Sequence, residues 1–197
     1  MPEFKFTTPE RKEVYTEWDK VVPIIREDNK VTAYLCTAIE GPDIYAELYH
    51  VLRTATVDQR IDLVLNSNGG TVDTALMLMD GIRNSKAIIT GYLVGTVASA
   101  AGSIALACDE LVVAEHLSWM SHNYSAGFVG KGHEAKAMQT FIDALQNKEF
   151  SDTYRGFFSE TEIASIIDGK DIWLTSEEVR QRFATAKSLR PEGKRKS

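Results

Sequence analysis

One stretch decides how this chain folds: residues 87–108, AIITGYLVGTVASAAGSIALAC, contain no charged side chain. Three structures fit such a stretch: a membrane-spanning helix, a buried core element, or a strand that turns sharply into a helix and presents a nucleophile. The length is sufficient for a spanning helix, which needs about 20 apolar residues. However, glycine, serine and threonine make the stretch only mildly hydrophobic, and β-branched residues crowd its first half. This pattern favours a strand followed by a close-packed helix, with Ser99 at the turn.

Ser99 alone does not establish a nucleophile. Serine is common where a helix begins, so composition by itself favours a small core residue. The surrounding motif also differs from the G-x-S-x-G nucleophile turn, because Val97 and Ala101 replace both glycines. The rest of the chain therefore has to decide between these interpretations.

The composition is that of an ordinary globular domain, with 197 residues of which 44% are hydrophobic and 25% charged. This length supports one domain with a sizeable core. A net charge of −6 argues against the basic face that nucleic-acid binding usually requires. The chain starts with polar and charged residues rather than a secretory signal, so we expect a cytoplasmic protein. Cys36 and Cys108 lack Cys-x-x-Cys spacing and are predicted to be buried structural thiols.

Strand-like and helix-like segments alternate on both sides of residues 87–108. The predicted strands are KVTAYLCTAI (30–39), IDLVLNS (61–67), AIITGYLV (87–94), ELVVAE (110–115), SWMSH (118–122) and DIWL (171–174). Helical periodicity predicts a helix over residues 44–54, capped by Asp43, and another over residues 71–84. The second helix carries an apolar face formed by Val72, Ala75, Leu76 and Met79. Strands separated by helices predict an α/β fold with a mostly parallel sheet.

The longest helical pattern covers residues 133–158 and follows a glycine-rich segment, AGFVGKG, at residues 126–132. A helix of this length exceeds what a compact unit needs, so we expect it to project and to pack against another subunit. A shorter helix follows, whose Ser159 and Glu162 have the spacing of a capping box. The basic residues 184–197 are predicted to form a disordered tail.

Several of these segments carry residues suited to acyl transfer, which needs a nucleophile, a base, an orienting carboxylate and N–H donors for an oxyanion. His122 ends a strand that can lie beside Ser99, whereas the other three histidines occupy predicted helix or turn positions. Asp171 opens the last strand, and Asp168 is a close rival for the carboxylate. The Gly-Gly turn after IDLVLNS can bring backbone N–H groups close to a substrate, although such turns are also common between a strand and a helix.

Together, four segments resemble the Clp protease proteolytic subunit family, the ClpP-like serine peptidases. They are IDLVLNSNGGTVDTALMLMDGI, the strand, glycine turn and helix; GTVASAAGSIAL, the nucleophile segment; SWMSHN, the histidine segment; and DIWLTSEEV, the aspartate segment. Their order and spacing agree with the family, and the resemblance covers residues 30–183. It implies an α/β fold built as a repeated β-β-α superhelix, shared with crotonases, and a projecting handle at residues 124–158.

The resemblance also implies the roles of individual residues. Ser99 would attack the scissile carbonyl, His122 would take its proton, and Asp171 would orient the imidazole. The N–H groups of Gly70 and Ala100 would form the oxyanion hole. The substrate groove would include Gly69, Tyr124, Ser125, Ala126 and Gly127.

The partners implied by the resemblance are peptides or unfolded proteins and further copies of the chain. The copies would form a homo-oligomeric ring, alone or as two stacked rings, which needs no metal or cofactor and binds neither nucleic acid nor membrane. Asn68 replaces the proline usual in the family's glycine turn, and Asn123-Tyr124 replace Gln-Pro after the histidine. Residues 1–29 lack the family's axial loop and first helix, which leaves docking to an ATP-driven unfoldase open. Such divergence is expected of a virus-encoded member, such as a phage capsid-maturation protease in the host cytoplasm.

Three other functions fit parts of the sequence. A crotonase-like acyl-CoA enzyme shares the paired oxyanion N–H groups but would not need Ser99, His122 and Asp171 together. A membrane-anchored Ser–Lys peptidase would need an anchor and a lysine base, and the sequence offers neither in an obvious position. A catalytically silent, structural member of the family is the third, and the complete Ser-His-Asp set argues against it.

Overall fold

A computed structural model describes residues 21–125, 127 and 131–189. In this part of the chain, seven strands form one sheet, accompanied by six α-helices. The strands are β1 (Ile24–Glu27), β2 (Lys30–Leu35), β3 (Arg60–Ser67), β4 (Ile88–Ala98), β5 (Glu110–Val113), β6 (Ser118–Ser121) and β7 (Ile172–Thr175). The helices are α1 (Ala46–Thr54), α2 (Val72–Asn84), α3 (Ala100–Ala107), α4 (Gly132–Tyr154), α5 (Glu160–Ile167) and α6 (Ser176–Leu189). The predicted α/β class is confirmed.

The centre of the sheet consists of the parallel strands β2, β3 and β4. Their connections run through α1 and α2, because parallel neighbours need a crossover rather than a hairpin. Ile61, Leu63 and Leu65 on β3 are almost fully buried, as expected for a central strand. The outer strands β1 and β7 pair antiparallel with β2 and β6. Since β1 lies within residues 1–29, the end of that predicted divergent segment is part of the sheet.

Strand β4 organises the part of the sheet that carries the site. Its first half pairs with β5 and its last three residues pair with β6. The predicted strand stopped at Val94, but β4 continues to Ala98 across an irregularity at Gly95, whose φ is 64°. The side chain of Asn66 supports this irregularity by accepting a hydrogen bond from the Thr96 N–H at 3.1 Å. The extension brings the residue after β4, Ser99, close to the end of β6.

Helix α3 follows Ser99, and all of its residues are buried. Its small side chains allow close packing: a Cβ on Gly102 would lie only 3.0 Å from the Trp119 ring of β6. The uncharged stretch at residues 87–108 is therefore a buried strand and helix, as predicted. Among the residues described, no helix combines the length and the apolar character needed to cross a membrane.

Two predicted helix boundaries are wrong. Asp43 does not cap α1, because residues Pro42–Tyr45 form a 3-10 turn and α1 begins only at Ala46. Helix α4 ends at Tyr154 rather than at residue 158. Gly156 reverses the chain there with a φ of 79°, so that Phe157 and its neighbour enter the core.

Two smaller differences concern a thiol and the tail. Cys108 is buried as predicted, but Cys36 is exposed, because β2 ends one residue before it. Helix α6 continues to Leu189, past the predicted start of the disordered tail at residue 184, since Ala186 packs into the core. Residues 190–197 of that tail, like residues 1–20, lie outside the described part of the chain. The capping box of Ser159 and Glu162 is present as predicted.

Candidate active site

Ser99 occupies the junction between β4 and α3 in a strained backbone conformation. Its φ of 53° and ψ of −127° are rare for a residue other than glycine and cost about 1–3 kcal/mol. The turn is held on both sides: the Ser99 N–H donates to the Met120 carbonyl at 2.9 Å, and the Ser99 carbonyl accepts from the Gly102 N–H at 2.8 Å. A strained strand-to-helix turn is also how the nucleophile of G-x-S-x-G enzymes is presented. The backbone thus has this geometry without the motif's glycines.

The glycine turn after β3 packs directly against Ser99. Gly69 and Gly70 have φ values of 93° and 150°, which side chains disfavour. A Cβ on Gly69 would lie 2.7 Å from the Ser99 Cβ and 3.0 Å from the Ala100 nitrogen. A Cβ on Gly70 would lie 2.2 Å from the Ile39 carbonyl oxygen. Both positions therefore require glycine.

Two backbone N–H groups near Ser99 are available as donors. The bridge to Ile39 uses the Gly69 carbonyl and the Thr71 N–H, so the Gly70 N–H points to the other side of this extended segment. The Ala100 N–H is the first of α3, and the first N–H groups of a helix have no intrahelical acceptor. Neither group donates to another of the described residues. Both can therefore bind an anion.

His122 follows β6 and lines the same cavity as Ser99. The preceding residue, Ser121, is buried, and its hydroxyl accepts a hydrogen bond from Trp119 Nε1 at 3.0 Å. Ser121 also contacts the hydroxyl of Tyr154, and burial raises the pKa of Tyr154 to about 12. On the other side, Asn123 Nδ2 donates to the Ile167 carbonyl at 2.8 Å. These contacts fix the backbone before and after His122.

Asp171 lies opposite His122 in the register of β6 and β7. The two strands are antiparallel with Ser121 facing Ile172, so the next pair along is His122 and Asp171. Asp168 is instead the C-cap of α5. Asp171 is exposed, and within the described residues no hydrogen bond joins His122 to Asp171 or to Ser99. The register favours Asp171 over Asp168 as the partner of His122.

A small cavity of about 30 Å³ opens beside Ser99. Helices α2, α3 and α4 and the segment after β6 form its walls. The lining residues not given a site role by the sequence are Val72, Ala75, Leu76, Met79, Ser103, Glu149, Phe150 and Tyr154. The first four form the apolar face predicted for α2, which is the signal that could have located this wall. No comparable signal distinguishes the α4 residues.

Glu149 is the acidic residue of the cavity wall. Burial raises its pKa above the ordinary value, whereas contacts with the Thr153 and Ser103 hydroxyls and the charge of Arg83 lower it. Its Oε1 is buried and has no hydrogen-bond partner among the described residues. A carboxylate on a long polar helix is usually exposed, so no local sequence pattern predicts a buried position for Glu149.

Only some of the residues predicted for the substrate groove line the cavity in the described part of the structure. Tyr124 lines the cavity, and its hydroxyl donates to Asp143 on α4 at 2.6 Å, a hydrogen bond that raises the pKa of Tyr124. Ser125 and Gly127 are exposed and are not part of the cavity lining. Ala126 lies outside the described residues. In the described ranges, no cluster of three or more His, Cys, Asp or Glu side chains could hold a metal ion.

The comparison with known families is consistent with this geometry. The family model named Clp protease matches residues 36–181, well over half of the chain. No curated protein matches the chain. Members of the Clp protease family are peptidases that generally form oligomeric rings and act on peptide substrates. The family match and the mixed α/β sheet together show that this chain belongs to the Clp protease family.

Proposed function

We propose that the protein is a serine endopeptidase that uses Ser99, His122 and Asp171 inside a ring-shaped homo-oligomer. The observation that carries the proposal is the strained turn at Ser99, which lies at the start of a buried helix in a cavity shared with His122. Backbone strain of about 1–3 kcal/mol persists where the surrounding structure enforces it, and such strain clusters at functional sites. A serine that merely filled the core would have no need of a positive φ.

In the proposed reaction, the Ser99 hydroxyl oxygen attacks the carbonyl carbon of the peptide bond, and His122 takes the hydroxyl proton. The carbonyl oxygen becomes an oxyanion as the tetrahedral intermediate forms. His122 then gives its proton to the leaving nitrogen, the C–N bond breaks, and an acyl-enzyme remains on Ser99. Water, deprotonated by His122, releases the acyl group in the same way. General acid–base help of this kind contributes about 10²–10⁴-fold.

The oxyanion would be stabilised by the N–H groups of Gly70 and Ala100. Neither has another acceptor among the described residues, and the Ala100 N–H lies at the positive end of the α3 dipole. Donors fixed in advance are effective because they need no reorganisation when charge develops. Removal of one such donor typically costs about 3–4 kcal/mol in the transition state.

Asp171 would orient the His122 ring and stabilise its protonated form. The strand register supports this pairing, since Asp171 is the residue opposite His122. Catalytic hydrogen bonds are commonly long in the absence of substrate and shorten in the reacting complex. The same register supports no such role for Asp168.

The exposed face of α4 supports the proposal of a ring-shaped oligomer. Met138, Phe141 and Leu145 follow the i, i+3, i+7 spacing of one helix face, and Phe141 is 64% exposed. Large apolar side chains grouped on a surface commonly mark an interface. We propose that this face packs against further copies of the chain, as expected for a handle helix.

Peptide hydrolysis by the assembled protein tests these roles. Ser99→Ala and His122→Ala should abolish cleavage of fluorogenic peptides and unfolded casein, while circular dichroism and native mass spectrometry show an unchanged fold and oligomer. Retained turnover in either variant would contradict the assignment. The parent must cleave at least one of these substrates in its assembled state.

Asp171→Asn and Asp168→Asn form a matched pair for the carboxylate. Each removes one negative charge from a neighbouring position, but only Asp171 lies opposite His122. We expect kcat/KM to fall at least about 100-fold for Asp171→Asn and to stay near the parent for Asp168→Asn. The reverse pattern would assign the carboxylate to Asp168.

A further inference from the structure

Among the described residues, the cavity beside Ser99 has mainly apolar walls and one carboxylate, that of Glu149. Leu76 and Met79 on α2 and Phe150 on α4 supply apolar surface, and Glu149 precedes Phe150 on the same helix. Binding pockets commonly combine an apolar lining with a few polar groups that fix orientation and specificity. In a peptidase, a cavity next to the nucleophile receives a side chain adjoining the bond to be cut. Its single carboxylate is then the natural determinant of which side chain is accepted.

Glu149 is incompletely satisfied within the described structure. Thr153 and Ser103 contact the carboxylate through their hydroxyls. Arg83 adds a favourable charge, but its guanidinium donates to Thr153 Oγ1 at 2.9 Å and is not part of the cavity lining. Oε1 remains buried without a hydrogen-bond partner among the described residues. A buried acceptor of this kind lowers stability until a donor reaches it, and a substrate in the cavity can supply that donor.

We infer that this cavity selects a lysine or arginine side chain on the acyl side of the cleaved bond, with the cationic group donating to Glu149 Oε1. This inference rests on the proposed function, because it takes Ser99 as the nucleophile. The methylene stem of lysine or arginine matches the apolar surface of Leu76 and Met79, and the charged end matches the carboxylate. One amphipathic side chain satisfies both parts of the cavity.

Other side chains satisfy only one part. A purely apolar side chain buries the walls but leaves Glu149 Oε1 unpaired in an even drier cavity. An acidic side chain brings a second negative charge next to the carboxylate. A site with a buried polar group rejects a substrate that lacks the matching partner far more strongly than it rejects a small change in apolar size.

Two peptidyl diphenyl phosphonates test the inference on the assembled protein. They are identical except that one carries an aminobutyl side chain, equivalent to lysine, and the other carries a butyl side chain, which has the same four-carbon stem but lacks the charged amine. The readout is the rate at which each modifies Ser99, measured by mass spectrometry of the Ser99 peptide. A small fluorophosphonate without a side chain serves as the common reference.

We expect the parent to react at least about tenfold faster with the aminobutyl reagent than with the butyl reagent. Glu149→Gln keeps the shape of the side chain but removes its charge. It should abolish or reverse the preference for the aminobutyl reagent. Asp152→Asn is the matched control, because it also removes a carboxylate from α4. The Asp152 carboxylate pairs with Lys148 on the surface and does not line the cavity. This variant should leave the ratio unchanged.

The outcomes separate the inference from the function on which it rests. If the fluorophosphonate modifies Ser99 but the parent prefers the butyl reagent, the selectivity inference is wrong and the peptidase proposal stands. This result needs no variant, so a folding defect in Glu149→Gln does not affect it. A ratio that is the same in the parent and in a folded Glu149→Gln also overturns the inference. Failure of all three reagents to modify Ser99 contradicts the peptidase proposal, and the inference falls with it.

Discussion

Two of the walls of the cavity beside Ser99 are built in different ways. The nucleophile wall consists of Ser99 and Ala100 and is backed by Gly69 and Gly70, where two backbone turns meet and a Cβ on either glycine would collide. The α4 wall consists of residues 149, 150 and 154, whose side chains extend from a single helix. The first wall depends on where N–H groups point, whereas the second depends on which side chains pack there. A peptidase of this design can keep its reaction on one wall and change its selectivity on the other.

Gly70→Ala is the strongest test of the nucleophile wall. Its Cβ would lie 2.2 Å from the Ile39 carbonyl oxygen at a φ of 150°, so the turn and the Gly70 N–H must move. We expect kcat/KM for peptide cleavage to fall by about 10²–10³-fold, the usual effect of losing one oxyanion donor. Gly132→Ala is the matched control, because nothing lies within 4 Å of its Cβ position. Activity within tenfold of the parent in Gly70→Ala would contradict this view of the wall.

Phe150→Ala and Phe141→Ala test the α4 wall with the same substitution on two faces of one helix. Phe150 is 4% exposed and stacks on Tyr154 at 5.1 Å between ring centroids, whereas Phe141 is 64% exposed. We expect Phe150→Ala to lower the free energy of unfolding by about 3 kcal/mol. In the dissociated subunit, where the α4 face is exposed, Phe141→Ala should change it by no more than about 0.5 kcal/mol. Urea denaturation measures both, and equal losses would show that the exposed face is not free in the folded subunit.

Glu162→Gln tests a carboxyl outside the cavity whose pKa is shifted in the direction opposite to that of Glu149. Hydrogen bonding to Arg182 lowers the pKa of Glu162 to about 2. A folded pKa below the unfolded value contributes stability above about pH 4.5, and this stability is lost as pH falls towards 2. We expect Glu162→Gln to cost about 1 kcal/mol at pH 7, since the pair is partly exposed, and to flatten the acid side of the stability profile. Thermal unfolding between pH 2.5 and 7 measures this, and a variant that melts like the parent at pH 7 would refute it.

Glu149→Gln should have a smaller effect on stability than Glu162→Gln, and with the opposite sign. Burial raises the pKa of Glu149, so its contribution to stability is present in acid and is lost as pH rises through the folded pKa. Replacement by a neutral amide removes that loss, and we expect stability at pH 7 to rise by about 0.5 kcal/mol. The same thermal unfolding series tests it. A variant that is less stable than the parent at pH 7 but not at pH 4 would show that the carboxylate is fully compensated in the folded protein.

The nucleophile wall could be predicted from the sequence because local chemistry dictates it. The backbone of the turn after β3 can approach Ser99 this closely only if the residues there have little or no side chain, as the two adjacent glycines do. A strand and helix without charged side chains are likewise expected to be buried, and all residues of α3 are buried. The register that brings Asp171 opposite His122 follows from the sheet and could not be read from spacing alone.

The α4 wall could not be predicted, because its features depend on tertiary contacts. Nothing local distinguishes Glu149 from the exposed carboxylates of the same helix; only the packing of α4 against α3 buries it. The end of α4 was also missed, since Gly156 stops it by a reversal that fits against Ala186 of α6, far along the chain. Asp43 fits the pattern of a helix cap, but the Pro42–Tyr45 turn delays α1 beyond its reach.

The most direct test of the central claim is to identify the residue that a fluorophosphonate modifies in the assembled protein. Two serines in the described part of the chain line the cavity, Ser99 at the strained turn and Ser103 one helical turn further along α3. We predict modification of Ser99 alone, identified by mass spectrometry, with no modification of the assembled Ser99→Ala variant. Modification of Ser103, persistence of labelling in Ser99→Ala, or no reaction at all would contradict the claim that Ser99 is the nucleophile.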